Sequence, residues 1–225
     1  MSSFSPIYWR TTIPSLSLPE LPSLLGRVRE LSAALLSGES RGFGAFRALT
    51  DLLLRRTVLH PTGGIREAEG LRPDTRIVGG WRGPLDPLPL TNGRYLRLSL
   101  TLFRELTEHG YRIKVADSAY QYQADRDGTD WMFRYDFLRN PPEPHPASHL
   151  QLNAAPAEGW LPDSMPLSRI HFPTDRISFE AVIRLLIDEF GVPANDPADV
   201  WRPLLAESEA LFLGIRHRSL SGPPA

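Results

Sequence analysis

Ionisable residues recur at alternate positions in three short segments, Trp131–Phe137, Ser148–Asn153 and Leu167–Phe172. In the first, Arg134 and Asp136 oppose Phe133, Tyr135 and Phe137; in the second, His149 opposes Leu150 and Leu152; in the third, Arg169 and His171 oppose Ile170 and Phe172. Alternation of this kind is the signature of a half-buried strand. Side chains along a strand point to opposite faces, so pairing the three as antiparallel strands gathers Arg134, Asp136, His149, Arg169 and His171 on one polar face. Imidazole titrates near neutral pH, so His149 and His171 suit a general base and acid. Guanidinium groups hold phosphate and stabilise charge developing on it, the work open to Arg134 and Arg169. Asp136 can orient a histidine or pair with an arginine. Together these types fit cleavage or transfer at a phosphodiester, with RNA the natural target because its 2′-hydroxyl serves as an internal nucleophile. Arg97, His145, Tyr135 and Tyr122 complete the expected set as substrate contacts, the tyrosines by stacking on bases.

A wetted sheet face also yields alternate polar residues with no site on it. Such faces are usually built from Lys, Glu, Thr and Ser, whereas this one collects two His, two Arg and an Asp between aromatic-rich strands. A second chemistry would use His145, His149, His171 and Asp136 as ligands for a divalent metal. His145 and His149 are spaced i, i+4, but Pro141, Pro142, Pro144 and Pro146 keep that segment out of a helix, so it is not the helical pair of a zincin. The expectation carried forward is a site without cofactor or metal.

The chain of 225 residues, 41% hydrophobic and 23% charged, is long enough for one large domain with a real core. A net charge of −1 supplies no global attraction to polyanions, so any nucleic-acid contact must come from a local patch. Arginine dominates the cations, with Lys114 the sole lysine, but it is spread along the chain without basic tracts. The absence of cysteine excludes disulfides, thiolate nucleophiles and Cys-ligated zinc. No segment approaches the ~20 apolar residues of a membrane span and no leader pattern opens the chain, so the expectation is a cytoplasmic protein without membrane contact. There is no P-loop, dinucleotide fingerprint or nucleophile elbow. Arg55-Arg-Thr-Val-Leu-His60 has the Arg-x4-His spacing of HEPN nucleases, with Arg56 in place of the polar residue expected there.

The elements that must position the site follow from periodicity. Leu24, Leu25, Val28, Leu31 and Leu35 mark one helical face, and Phe46, Leu49, Leu52 and Leu53 a second, giving an N-terminal helical hairpin within residues 1–60 after an extended lead-in. Residues 61–93, dense in Gly and Pro, read as a lid or linker. The main α+β domain spans 94–218. Leu96, Leu98, Leu100 and Leu102 alternate along a first strand; Tyr111–Gln123 forms the next, with a change of parity implying a bulge near Ala116 to Ser118. Asp125-Arg-Asp-Gly128 marks the turn that follows. Two C-terminal helices, one from Ser178 and one opened by Pro197, should cover the apolar side of an antiparallel sheet of four to five strands. The tail 219–225 should fray.

Tyr120-Gln-Tyr-Gln123, Asp127-Gly128, Phe133-Arg-Tyr-Asp136, Pro144-His145 and His149 resemble the core pattern of the TumE-like family of toxin–antitoxin proteins over about residues 111–190. The resemblance implies a small α+β toxin with a cognate antitoxin, with Arg134, Tyr135, Asp136, His145 and His149 at the motif positions. Phe137 stands where the family has Asn, and the chain is longer at both ends. The alternative is a non-catalytic subunit of a toxin–antitoxin or defence-type complex whose N-terminal helices dock a partner encoded nearby. Oligomeric state is not legible.

Overall fold

A computed structural model describes residues 20–36, 42–70, 75–80, 86–108, 110–154 and 167–220. The expected lead-in over 1–19 and the part of the tail beyond Leu220 lie outside these residues. Helices α1 (Glu20–Leu36) and α2 (Gly42–Arg56) are followed by strands β1 (Arg66–Glu69), β2 (Thr75–Gly79) and β3 (Leu88–Pro89). The long strands β4 (Tyr95–Thr107) and β5 (Gly110–Gln123) lead to β6 (Trp131–Leu138) and β7 (Ser148–Leu152). A 3-10 turn (Leu167–Arg169), β8 (Phe172–Pro173), α3 (Phe179–Asp188) and α4 (Ala198–Leu220) complete the order.

The fold is α+β, and its antiparallel sheet is larger than expected: eight strands in the order β1-β2-β4-β5-β6-β7-β8, with β3 also pairing β4. The extra strands come from the stretch expected to be a linker. Ile77 and Val78 carry β2 against β4, whereas Arg66–Glu69 is an edge strand with no apolar face and therefore no sequence signature. Gly80, just past β2, sits where any Cβ would collide with the Asp86 carbonyl, so close backbone approach requires glycine there.

Leu96, Leu98, Leu100 and Leu102 are each at most 3% exposed, which fixes the apolar face. The parity change in β5 resolves as a bulge at Ala116. Thr101 pairs Asp117 while Leu102 pairs Val115, so Val115 and Ile113 return to the leucine face. Phe179 of α3 stacks on Tyr120 at 5.9 Å, and Phe190 meets Tyr122 and Phe133 at 5.2 and 5.3 Å. Ser178 caps α3 by accepting from the Ala181 N–H. Helix α4 packs on α1, α2 and α3. Val28, Leu31, Leu49, Leu53 and Leu54 belong to the same core as the sheet, so the N-terminal hairpin turns its apolar faces inward. Among the described residues no helix is long and apolar enough to cross a membrane.

Candidate functional site

On the opposite face the register aligns two ranks of side chains across β4, β5, β6 and β7. Arg97 pairs Gln121, Gln121 pairs Arg134 and Arg134 pairs Gln151. One step along, Asp136 pairs His149. This polar face is not simply wet: Gln121, Gln123, Gln151 and His149 are all buried. Two segments fold over it. The turn after β5 accepts from Gln123 Nε2 through the Asp125 and Arg126 carbonyls at 2.8 and 3.2 Å. The 3-10 turn accepts from Gln151 Nε2 through the Ser168 carbonyl at 3.2 Å. Gly128, at φ +78°, supplies the left-handed residue that lets the first segment turn back.

Three imidazoles meet at the end of this face. His149 comes from β7, His145 from the proline-rich corner before it, and His171 from the residue preceding β8. Ring centroids are 4.4 Å apart for His149 and His171, and 4.7 Å from His145 to each of them. His149 is 3% exposed, and neither of its ring nitrogens has a hydrogen-bond partner among the described residues; the same holds for Nδ1 of His171.

Arg134 organises the surroundings. Its Nε donates to Asp136 Oδ2 at 2.6 Å and its Nη2 to Gln151 Oε1 at 2.5 Å. Asp136 Oδ2 lies 3.4 Å from His149 Nε2, within ion-pair range but without the alignment of a hydrogen bond. A lone pair facing a carboxylate oxygen is repelled, so the ring proton of His149 belongs on Nε2 and the lone pair on Nδ1. At His171 the arrangement is reversed. Because Gln151 Oε1 receives Arg134, its Nε2 is the donor, to Ser168 and to His171 Nε2 at 3.2 Å. Nε2 of His171 therefore accepts and Nδ1 carries the proton. His145 donates from Nδ1 to the Pro146 carbonyl at 3.0 Å, leaving Nε2 with a lone pair. Burial pushes the His149 pKa below its ordinary 6.5; His171 and His145 push the same way, while Asp136 and, least, the Pro146 carbonyl, which is outside hydrogen-bond geometry from either ring nitrogen, oppose it.

The expected residues divide accordingly. Arg134, Asp136, His149, His171 and His145 come together. Arg97 shares the face, two strands from Arg134 at roughly 10 Å, and its Nη2 reaches the Asp127 carbonyl at 3.4 Å. Four expectations need correction. Leu167–Arg169 is a 3-10 turn closed by Ile170 N–H to the Leu167 carbonyl, not a strand, so Arg169 is exposed on it and no hydrogen bond or ion pair among the described residues joins it to the histidines. Tyr122, 1% exposed, lies on the apolar face with its hydroxyl accepting from Asn92 at 3.0 Å, on the side of the sheet opposite the histidines. Tyr135 shares that face, edge-on to Phe133 at 5.7 Å. Asp136 pairs with Arg134, and among the described residues the group that could hold a metal comprises His145, His149 and His171 without it.

Gln151 was missed as a site residue. The alternation His149, Gln151 placed it on the face, but nothing in its type announced that it fixes a tautomer. The Arg55…His60 spacing forms no site: Arg55 pairs with Asp51 at 2.7 Å and His60 turns to Thr62 at 2.8 Å. Comparison of the chain with protein-family models, curated proteins and solved structures finds no match.

Proposed function

We propose that this polar face cleaves a phosphodiester, with RNA as substrate, and that the chain acts in the cytoplasm as a TumE-like toxin restrained by a cognate antitoxin. The observation that carries the reading is that Arg134 holds both Asp136, 3.4 Å from His149, and Gln151, 3.2 Å from His171, an arrangement that favours opposite tautomers in the two rings. A depressed pKa keeps His149 neutral near pH 7, so Nδ1 is available as a base. Nδ1 of both rings is buried, so RNA must displace the segments covering this face before it reacts. His149 Nδ1 then takes the proton of the 2′-hydroxyl, the 2′-oxygen bonds to phosphorus, and the bond to the 5′-oxygen breaks. The imidazolium, stabilised by Asp136, then returns the proton to the leaving oxygen, the sequence used by triad histidines. His171 donates Nδ1–H to a phosphoryl oxygen as charge builds there. Arg134, bound through Nε and Nη2, keeps Nη1 for a second phosphoryl oxygen. The sum is a 2′,3′-cyclic phosphate and a free 5′-hydroxyl.

These roles refine the simple base-and-acid pair. Gln151 Nε2 donates to His171 Nε2, so Nδ1–H is the donor that His171 offers. A partner docking on the N-terminal helices would meet their outer faces, since their apolar faces serve the chain's own core. The test is incubation of purified protein with a defined single-stranded RNA. Products ending in a cyclic phosphate support the reading; an intact RNA, together with no growth arrest on heterologous expression, removes it.

A further inference from the structure

We infer that His145, His149 and His171 also form a binding site for one divalent transition-metal ion of the zinc class, and that the metal-loaded state and the acid–base state exclude each other. The exclusion rests on the reading above; the binding site does not.

One ligand nitrogen from each ring lies within 4.8 Å of the others. A tetrahedral ion with bonds of about 2.0–2.1 Å sets its nitrogens about 3.3 Å apart, so side-chain rotation about the existing positions closes the site. Imidazole without thiolate selects zinc, cobalt, nickel or copper over calcium and magnesium. Burial supplies the second observation. His149 is 3% exposed with both ring nitrogens unpartnered among the described residues, and His171 Nδ1 is buried in the same condition. A buried polar atom without a partner destabilises the fold, a penalty that an ion at the centre of the three rings would offset.

The surroundings fit two of the three ligands without change. Metal-bound imidazoles usually donate their second N–H to a carbonyl or carboxylate. His145 already donates Nδ1–H to Pro146 and can ligate through Nε2. His149 sets Nε2 beside Asp136 and can ligate through Nδ1. His171 is the exception. To ligate through Nδ1 it must move its proton to Nε2, where the Gln151 amide now donates. The Gln151 orientation held by Arg134 therefore favours the metal-free form, and turning that amide over favours the loaded one. A loaded ion takes the His149 Nδ1 lone pair and removes the His171 Nδ1–H, the two features the cleavage chemistry needs. Three ligands leave a fourth position for water.

The probe is Co2+ added to the purified full chain, read by the visible absorption that tetrahedral cobalt gives. One equivalent should saturate the spectrum, and Zn2+ should abolish it by displacement. His145→Ala should lose the signal. Gln151→Glu, which offers a carboxylate both to a His171 Nε2–H and to Arg134, should tighten binding about tenfold, the scale of outer-shell effects. A chain that gives no tetrahedral spectrum, or one unchanged by His145→Ala, overturns the site. With RNA present, one equivalent of Zn2+ should stop cleavage. Cleavage that instead requires Zn2+ would overturn the exclusion and the metal-free mechanism while leaving the site standing, and absent cleavage with an intact cobalt spectrum would remove the RNA reading alone.

Discussion

Arg134 and Asp136, two residues apart on β6, are ion-paired through Nε and Oδ2 at 2.6 Å while Asp136 sits 3.4 Å from His149. The guanidinium thus competes with the imidazole for one carboxylate. That competition helps keep His149 neutral, because an unshared carboxylate would stabilise its charged form more strongly.

Arg134→Gln should therefore raise the His149 pKa and release Gln151. Turnover on RNA should fall about tenfold or more, equivalent to ~1.4 kcal/mol per tenfold, and the acidic limb of the pH–rate profile should move to higher pH. A loss of rate with an unmoved limb would make Arg134 a substrate contact alone.

His149→Ala and His171→Ala should each lower cleavage by roughly 10²-fold or more, the scale of a lost base or charge-stabilising donor. Far-UV circular dichroism should remain that of the parent. Full activity in either variant excludes that histidine from the mechanism.

The depressed pKa of His149 has a defined consequence for stability. The unfolded chain binds a proton at the ordinary 6.5 while the folded state binds it only at lower pH. Stability contributed by the neutral ring is complete above 6.5 and is lost as pH falls from there through the folded-state pKa. Urea melts from pH 8 to 5 should show a decline that His149→Asn reduces. The acidic limb of the wild-type cleavage rate should likewise lie below pH 6.5.

Tyr122→Phe separates the two faces of the sheet. Removing the hydroxyl that accepts from Asn92 should cost about 1 kcal/mol, seen as a lower denaturation midpoint, and leave RNA cleavage unchanged. A large drop in activity without a drop in stability would put Tyr122 back in the site.

Much of the fold was legible because it is written in local periods. The leucines of β4, the parity change at Ala116 and the helical stripes of α1 to α3 each report which side must leave water, so strand, bulge and helix follow from spacing alone. The edge strand Arg66–Glu69 was not legible, because a strand with no buried face carries no alternation.

The sequence by itself determined that Arg134, Asp136, His149 and Gln151 share a face, since alternation along a pleated strand leaves no other choice once Phe133 and Leu150 turn inward. Only the tertiary structure decided that His145 and His171, both outside any strand, close on His149 to within 4.7 Å, and that Arg169 does not. Loop and turn geometry has no period to read. The paths of the Pro141–Pro146 corner and of the turn at Leu167–Arg169 are set by what they pack against, and so is the direction in which each ring nitrogen points.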